Sequence, residues 1–443
     1  MRGASRPFPA TLREQFELLL QADDCDAALA LAKDALARDA NSYEAQLLLG
    51  RAHQKLHRPD RALACFDAAL RLRQDDAELY DFRGAMYQEL GRLPEALADF
   101  DRALALRPDF PAASFHRAMA RLLAGDFGRG WDDYELRRLN PDHARSATDF
   151  PRWDGSPLAG RTLLITREQG LGDEIMYASM LPELIAQAGR CVVECDPRLL
   201  QLFGRSFPSV TFFGTLPAGG LPAAIPRNSI DVAIEAGGLA RHLRRDAVAF
   251  PRHSGYLRAD PGKQERWRGR LAGLGPGLKI GLSWTGGVRK TRRALRSLSL
   301  EQLLPLLRVA GARYVSLQYT RDAPGELADL RARHGVDVPH WQEAIDDYDE
   351  TAALVGALDL TISVCTSLVH LGGALGRPVW VLAPIGPEWR YGIAGESMVW
   401  YPSVRLFRQA AYAEWGPVVS RVAGEVVALR RNPASSETTA GSA

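Results

Sequence analysis

The sequence predicts an all-α helical solenoid followed by two α/β halves, each built on a parallel sheet. Three observations carry this reading: a self-similarity of period 34 in the first third, short continuous apolar runs after residue 160, and helix patterns alternating with those runs. At 443 residues, with 46% apolar and 24% charged residues, the composition is that of a globular protein of more than one domain. A formal net charge of +2 provides no whole-molecule attraction to nucleic acid or to an anionic membrane, so any basic site has to be local.

The repeat comes first. Gly50 and Gly84 are one period apart, as are Ala28, Ala62 and Ala96, and Ala35, Ala69 and Ala103. Phe66, Phe100 and Tyr134 form an aromatic column, and Pro108 closes a unit. Small residues let two antiparallel helices approach closely, and the aromatic column fills the gap to the next unit. A single helix pair leaves an apolar face bare, so units must stack. These residues resemble the tetratricopeptide repeat over 43–110, with weaker copies at 9–42 and 111–144. In the last copy Ala118 replaces the glycine and Gly130 the alanine, as suits an end unit. The solenoid is expected over 1–145, either as a spacer or as a groove that grips a protein or peptide.

A polar, Pro- and Gly-rich linker is expected at 146–160. Then "TLLIT" (162–166), "CVVEC" (191–195), "VTFFG" (210–214) and "IDVAIEA" (230–236) read as buried parallel strands, with helices at 174–188 and in "PRLLQLFGRSF". This first half spans 161–270. A second half, 277–431, starts after "LAGLGPGL" with strands "KIGLSW" (279–284), "RYVSLQY" (313–319), "LDLTISV" (358–364) and "PVWVLAP" (378–384). "LEQLLPLLRVA", "ETAALVGAL" and "SLVHLGGALG" read as helices between them, and 412–431 as a terminal amphipathic helix. Residues 432–443 form a solvated, disordered tail with no means of packing. Two such sheets create a cleft where the carboxyl ends of both strand sets face each other, and ligands bind outside those ends.

The stretch "REQGLGDEIMY" sits where the first strand turns into a helix. Gly170 and Gly172 permit close approach of a ligand to the backbone. Ile175 stands where a dinucleotide fingerprint needs a third glycine, and no Gly-Lys-Ser/Thr follows. The sequence offers Asp173 instead. The positive end of a helix favours an ionised carboxylate, which suits a general base; the same position also suits an N-cap. Glu168 and Glu174 carry the same ambiguity, and Gln169 either orients a ligand or satisfies the turn.

Taken with "LDLTISVCTSLVHLGGALGRPVWVLAPIGPEWRYG" and "WYPSVRLFRQ", the stretch "WDGSPLAGRTLLITREQGLGDEIMYASMLPEL" resembles the tetratricopeptide-fused glycosyltransferases. These are related to the bacterial heptosyltransferases, glycosyltransferase family 9. The resemblance covers about residues 150–430 and, with the repeats, nearly the whole chain. It implies the GT-B arrangement of two Rossmann-like parallel-sheet halves, with a nucleotide-sugar donor on the C-terminal half and the acceptor entering from the N-terminal half. It also implies that Asp173 is the catalytic base. The family's Asp-Thr-x-x-x-His signature falls on Cys365, Thr366 and His370, so a thiol stands where the family has a carboxylate. A thiol supplies neither that charge nor comparable hydrogen-bond acceptance, so donor binding differs here or the domain is inactive.

Several further residues are expected at the donor site. Thr366 and Ser367 open a helix whose free N–H groups suit a diphosphate, and His370 lies about one turn on; ordinary capping and a packed histidine are the plain alternatives. Arg296 and Lys290 are singled out from the basic "VRKTRRALRSL" as phosphate partners. Gln318 ends a strand on the same side. Trp389, Arg390 and Tyr391 are expected on the cleft rim, where Trp389 or Tyr391 stacks a base or packs the loop.

No nucleic-acid partner is expected, because no stacking aromatics interleave with the basic run. No metal site and no cofactor beyond the nucleotide-sugar substrate are expected. Asp24/Asp26 and Asp99/Asp101 fall on repeat helices, and Asp347 with Glu350 reads as a capping box. Five scattered cysteines, no apolar run of membrane-spanning length and no signal-peptide core point to the cytoplasm. The function expected is inverting, metal-independent transfer of a sugar to a protein or glycan acceptor. The alternative is a protein-binding repeat scaffold carrying a degenerate transferase domain.

Overall fold

Among the described residues, the first seven helices run Leu12–Gln21, Cys25–Arg38, Tyr43–Lys55, Pro59–Leu72, Ala77–Glu89, Leu93–Leu106 and Pro111–Leu123. The side chains of Thr11, Asp24, Ser42 and Asp76 accept N–H groups of the first turns. Proline occupies the first or second position of the helices starting at 59, 93 and 111, where its missing N–H costs nothing. The computed structural model describes residues 11–139, 149–216, 219–287 and 293–431. The expected tail, residues 146–148 of the linker, and Arg289, Lys290 and Arg292 lie outside them.

The repeat columns have a contact behind them. A Cβ on Gly50 would lie 2.4 Å from the Phe66 ring, and one on Gly84 would lie 2.7 Å from the Phe100 ring. The aromatic column therefore closes first on the glycine of its own hairpin. Phe66 then reaches the next hairpin, stacked on Phe82 at 6.2 Å. Gly50→Ala is expected to lower stability by about 1–2 kcal/mol in urea unfolding, because overpacking a buried ring outweighs the helix propensity gained. Adding Phe66→Leu should recover part of the loss; a variant more stable than the parent would contradict the contact.

The chain divides into two units, Met1–Ala124 and Gly125–Ala443. The break thus precedes the 145 expected. Helix Phe127–Tyr134 and the 3-10 turn Glu135–Leu139 continue the repeat pattern in sequence but belong to the second unit. There Trp131 donates its indole N–H to the Arg244 carbonyl at 2.8 Å, and Arg137 pairs with Glu168. Tyr134, third in the aromatic column, is buried beside Gly237 of the α/β unit.

The second unit carries two sheets. The first contains β1 (Thr162–Thr166), β2 (Arg190–Cys195), β3 (Thr211–Gly214) and β4 (Val232–Glu235) in the order β3-β2-β1-β4, all parallel. The second contains β5 (Leu278–Ser283), β6 (Ala312–Ser316), β7 (Leu360–Val364), β8 (Val379–Ala383), β9 (Ser397–Met398) and β10 (Tyr401–Arg408) in the order β6-β5-β7-β8-β10-β9. Only β9 is antiparallel. The central strands β7 and β8 are buried along their whole length, as continuous apolar runs between helices must be. The fold is therefore helical repeats followed by two Rossmann-like parallel-sheet halves.

Some elements differ from expectation. The helix expected at 174–188 begins earlier, as Leu171–Tyr177, passes through the 3-10 turn Ala178–Met180 and resumes as Leu181–Gln187, with Pro182 in its first turn. The helix expected around 300–310 is only Leu304–Leu307. The terminal helix starts at Gly416, because Pro417 suits a first turn and not a helix interior. Helix Pro261–Ala272, placed by sequence in the first half, packs on the second: Gln264 donates to the Gly356 carbonyl at 2.6 Å and Trp267 to Glu350 at 2.8 Å. Asp347 is an N-cap, accepting from Asp349 N–H at 2.9 Å, while the Glu350 side chain turns to Trp267.

Candidate active site

The loop between β1 and helix Leu171–Tyr177 is held from below. Arg137, fully buried, grips Glu168 with two bonds of 2.5 and 2.8 Å, and Glu168 also accepts the Gly237 N–H at 3.0 Å. Gln169 donates to the Tyr134 hydroxyl. Its φ of 66° places a non-glycine residue in the left-handed region, which persists only where the surroundings enforce it. Glu168 and Gln169 are thus structural ties that hold the turn in place.

Gly170 is the N-cap of the helix, so Asp173 sits in the first turn and not at the cap. Its Oδ2 accepts the Gly170 N–H at 3.2 Å, while Oδ1 accepts Nε of Arg390 at 2.9 Å and, more closely, Nη2 of the same guanidinium. Arg390 follows β8 in the other half. The two side chains are 14% and 15% exposed. Burial works against the Arg390 charge, but Asp173, with Tyr177 and Glu388 nearby, together outweigh it, and the guanidinium is held charged.

Gly172 makes this meeting possible. A Cβ there would stand 3.0 Å from His370 Cδ2 and 3.3 Å from Ser367 Cα. Close packing of two helices, one from each half, requires a glycine here. Beside it the Tyr256 hydroxyl donates to the Ile175 carbonyl at 2.7 Å and lies 3.4 Å from the Tyr401 hydroxyl.

On the second half, Thr366 caps helix Ser367–Ala374, accepting the Leu368 N–H at 3.3 Å, and lies 3.0 Å from the Ser363 hydroxyl. Ser367 opens the helix at the interface with Gly172. His370 is buried, with Nδ1 3.2 Å from the Tyr401 hydroxyl. Burial pushes its imidazole well below the ordinary value and the Arg390 charge adds to this, so the ring is neutral and packed, not extended towards a phosphate. Arg296 pairs with Glu388 across the loop after β8. Burial raises the Cys365 thiol, and the nearby Glu388 acts in the same direction.

The structure turns two of the expected ligand residues inward. Gln318 is fully buried; its Oε1 accepts from the Ser283 hydroxyl and the N–H groups of Trp284 and Thr285, each at 3.0 Å, and its Nε2 donates to the Thr285 carbonyl. It clamps the end of β5 because that strand's last N–H groups have no ladder partner. Trp389 is 5% exposed, not on a rim: it meets Trp131 edge-on at 5.1 Å and Trp400 at 6.2 Å. Tyr391 is likewise buried. Gly170, Gly172, Asp173, Ser367 and His370 come together with Arg390; Gln318 does not join them. Sequence reading placed Arg390 on the rim without a role, although it is the cation in "PEWRYG" after a strand's carboxyl end.

Beneath Asp173, Glu174 is buried with Oε1 2.5 Å from Arg167 Nε and Oε2 accepting the Asp196 N–H at 2.7 Å. It borders a cavity of about 20 Å³, lined also by Ile165, Tyr177, Val193 and Phe203, which has room for about one water. Burial raises this carboxyl to about 7, against the pull of the Asp196 N–H and Arg167. Because the folded value lies above the ordinary one, the stability it contributes is present below about pH 4.5 and is lost as pH rises through about 7. The stability difference between parent and Glu174→Gln should therefore shift against the parent by roughly 3 kcal/mol between pH 4.5 and 8. Urea titrations across that range check it; a pH-independent difference would contradict the buried-carboxyl account.

Among the described residues, no group of three or more His, Cys, Asp or Glu is arranged to hold a metal ion, and no helix is long and apolar enough to cross a membrane. The five cysteines are unpaired.

Comparison with known proteins gives the following. Tetratricopeptide repeat models match residues 19–86 and 77–110. Protein FlbA of Caulobacter vibrioides is 36% identical over 332 residues, which are 71% of this chain and 55% of FlbA, so the chain spans about half the length of that relative. Among solved structures, a mutant O-GlcNAc transferase of Thermobaculum terrenum is similar at a TM-score of 0.35 and 14% identity, over 97% of this chain and 94% of that one. YrrB, a TPR protein with an unusual peptide-binding site, is similar at a TM-score of 0.26 and 23% identity, over 29% of this chain and 67% of its own. The fold stated above rests on the strand order itself.

Proposed function

We propose that the second unit is a glycosyltransferase of GT-B type that uses a nucleotide-sugar donor, with Asp173 as general base. One observation carries this reading: a carboxylate from one parallel-sheet half meets a guanidinium from the other at the carboxyl ends of both strand sets, where open α/β sheets bind ligands. The acceptor hydroxyl gives its proton to Asp173 Oδ1 as its oxygen bonds to the anomeric carbon from the face opposite the leaving group. The bond from that carbon to the diphosphate breaks, and the nucleoside diphosphate departs with its electron pair. In this reading Thr366, Ser367 and the N–H groups they precede take up the diphosphate. Helices Leu171–Tyr177 and Ser367–Ala374 pack closely at Gly172, so this reading requires the halves to part there when a donor enters. The repeats would select a protein or peptide acceptor, and the unpaired cysteines suit a reducing compartment such as the cytoplasm.

The experiment is release of nucleoside diphosphate by the purified full chain from a panel of nucleotide sugars, with Asp173→Asn alongside. Release that Asp173→Asn leaves undiminished removes Asp173 from the role of base. The second reading, a repeat scaffold with a degenerate transferase domain, has the buried, uncharged Cys365 in its favour. That reading expects no release from any donor.

A further inference from the structure

Arg390 has no role in the reading above beyond its position, yet it occupies Oδ1, the oxygen to which that reading gives the acceptor proton. Both of its bonds go to Asp173 Oδ1, and Oδ2 is taken by the Gly170 N–H. Three of the carboxylate's roughly four acceptor positions are thus filled, both of those on Oδ1 among them. The guanidinium is in turn seated on the Trp389 ring, 5.1 Å from the centroid, in the loop that follows β8. It lies on the half expected to hold the donor, and it approaches the opening turn of helix Ser367–Ala374, since its partner Asp173 adjoins Gly172.

We infer that Arg390 is a donor-operated latch: it holds Asp173 while the crevice is empty and transfers its hydrogen bonds to the donor's diphosphate when that anion enters. The inference rests on the glycosyltransferase reading and names how that site is regulated. A planar guanidinium pairs with a phosphate as well as with a carboxylate, and a dianionic diphosphate offers it more charge than a single carboxylate. The exchange frees Oδ1 for the acceptor proton only when a donor is present. It also breaks one of the contacts that close the halves, so donor entry and opening are one event. The repulsion between an incoming diphosphate and a carboxylate is relieved by the same movement, because the cation ends between them.

Competition for one side chain has a signature that mere proximity lacks. The probe is inorganic pyrophosphate, titrated calorimetrically into the full-length parent, Asp173→Asn, Arg390→Gln and the double variant. The expected result is that Asp173→Asn tightens pyrophosphate about tenfold or more, and that this gain disappears in the Arg390→Gln background, which itself binds weakly. An equal gain in both backgrounds would mean simple charge repulsion and would overturn the latch while leaving the anion site standing. Binding indifferent to Arg390 would do the same. No pyrophosphate binding by any variant would remove the donor site, and the latch with it. Should Arg390→Gln fail to fold, as judged by its far-UV spectrum, Arg390→Lys replaces it. Lysine keeps the charge but not the fork, so it should bind pyrophosphate several-fold more weakly and shrink the Asp173→Asn gain; an unchanged gain would contradict the latch.

Discussion

Asp173→Asn should lower sugar transfer by about 10²–10⁴-fold, the range lost when a positioned general base is removed. It should also destabilise the second unit, because the variant leaves a charged Arg390 facing an amide. Removing one partner of a fully buried pair costs about 3–5 kcal/mol. Here the two side chains retain 14% and 15% of their surface, so about 2 kcal/mol is expected, and the variant should remain folded under assay conditions. The two effects separate by measurement: activity below the melting range reads the base, and urea unfolding reads the pair. A variant that loses activity only in proportion to its folded fraction would show that Asp173 is structural. Asp173→Glu keeps the charge but displaces it by a methylene. It should restore most of the stability and little of the rate, since general-base catalysis depends on reach and the ion pair less so.

Trp131→Ala is expected to cost about 3–5 kcal/mol, the range for emptying a buried aromatic site. Trp131 is 1% exposed, donates to the Arg244 carbonyl at 2.8 Å and meets Trp389 edge-on at 5.1 Å. It therefore joins a backbone group of the first half to the loop of the second half that carries Arg390. Hydrogen exchange should show lost protection in 239–250 and 386–401, with 12–123 unchanged. Loss confined to the repeats would contradict the assignment of this helix to the second unit. Trp131→Phe should cost less, since it keeps much of the apolar contact and leaves only the Arg244 carbonyl without its donor.

Much of the architecture was legible from periodicity. Eight of the strands lie within or beside short apolar runs visible in the sequence, because strands buried on both faces cannot alternate. The short β9 and the strand β10 were not read as strands. In β10, buried Val404, Leu406 and Phe407 alternate with Arg405 and Arg408, a pattern that does not resemble the continuous runs of the other parallel strands. The division after Ala124 was not legible for a related reason. Tyr134 continues the column of Phe66 and Phe100 in sequence, but its partners Gln169 and Gly237, 35 and 103 residues on, lie in loops of the first parallel-sheet half, where no repeat pattern points to them.

Site residues divide by the same rule. Asp173 and the Gly170 turn were legible because a strand-to-helix turn is a local pattern. The pairing of Asp173 with Arg390 is a tertiary fact, 217 residues apart, and no spacing reveals it. Gln318, His370 and Trp389 carry chemistry that suits a ligand equally well as it suits a buried partner. Only their surroundings decide, and these turn all three inward. At Gly172 a glycine is required by the close approach of Ser367 and His370, a tertiary contact that no local spacing reveals.

The central claim is that the crevice between the two sheets receives a nucleoside diphosphate. Calorimetric titration of the full chain with UDP, GDP, ADP and CDP tests it without knowledge of the acceptor. The account predicts that one of them binds as a single site with Kd below about 1 mM, worth about 4 kcal/mol, and more weakly once Arg390 is replaced by glutamine. Failure of all four to bind at millimolar concentration, by a chain whose second unit is demonstrably folded, would contradict it.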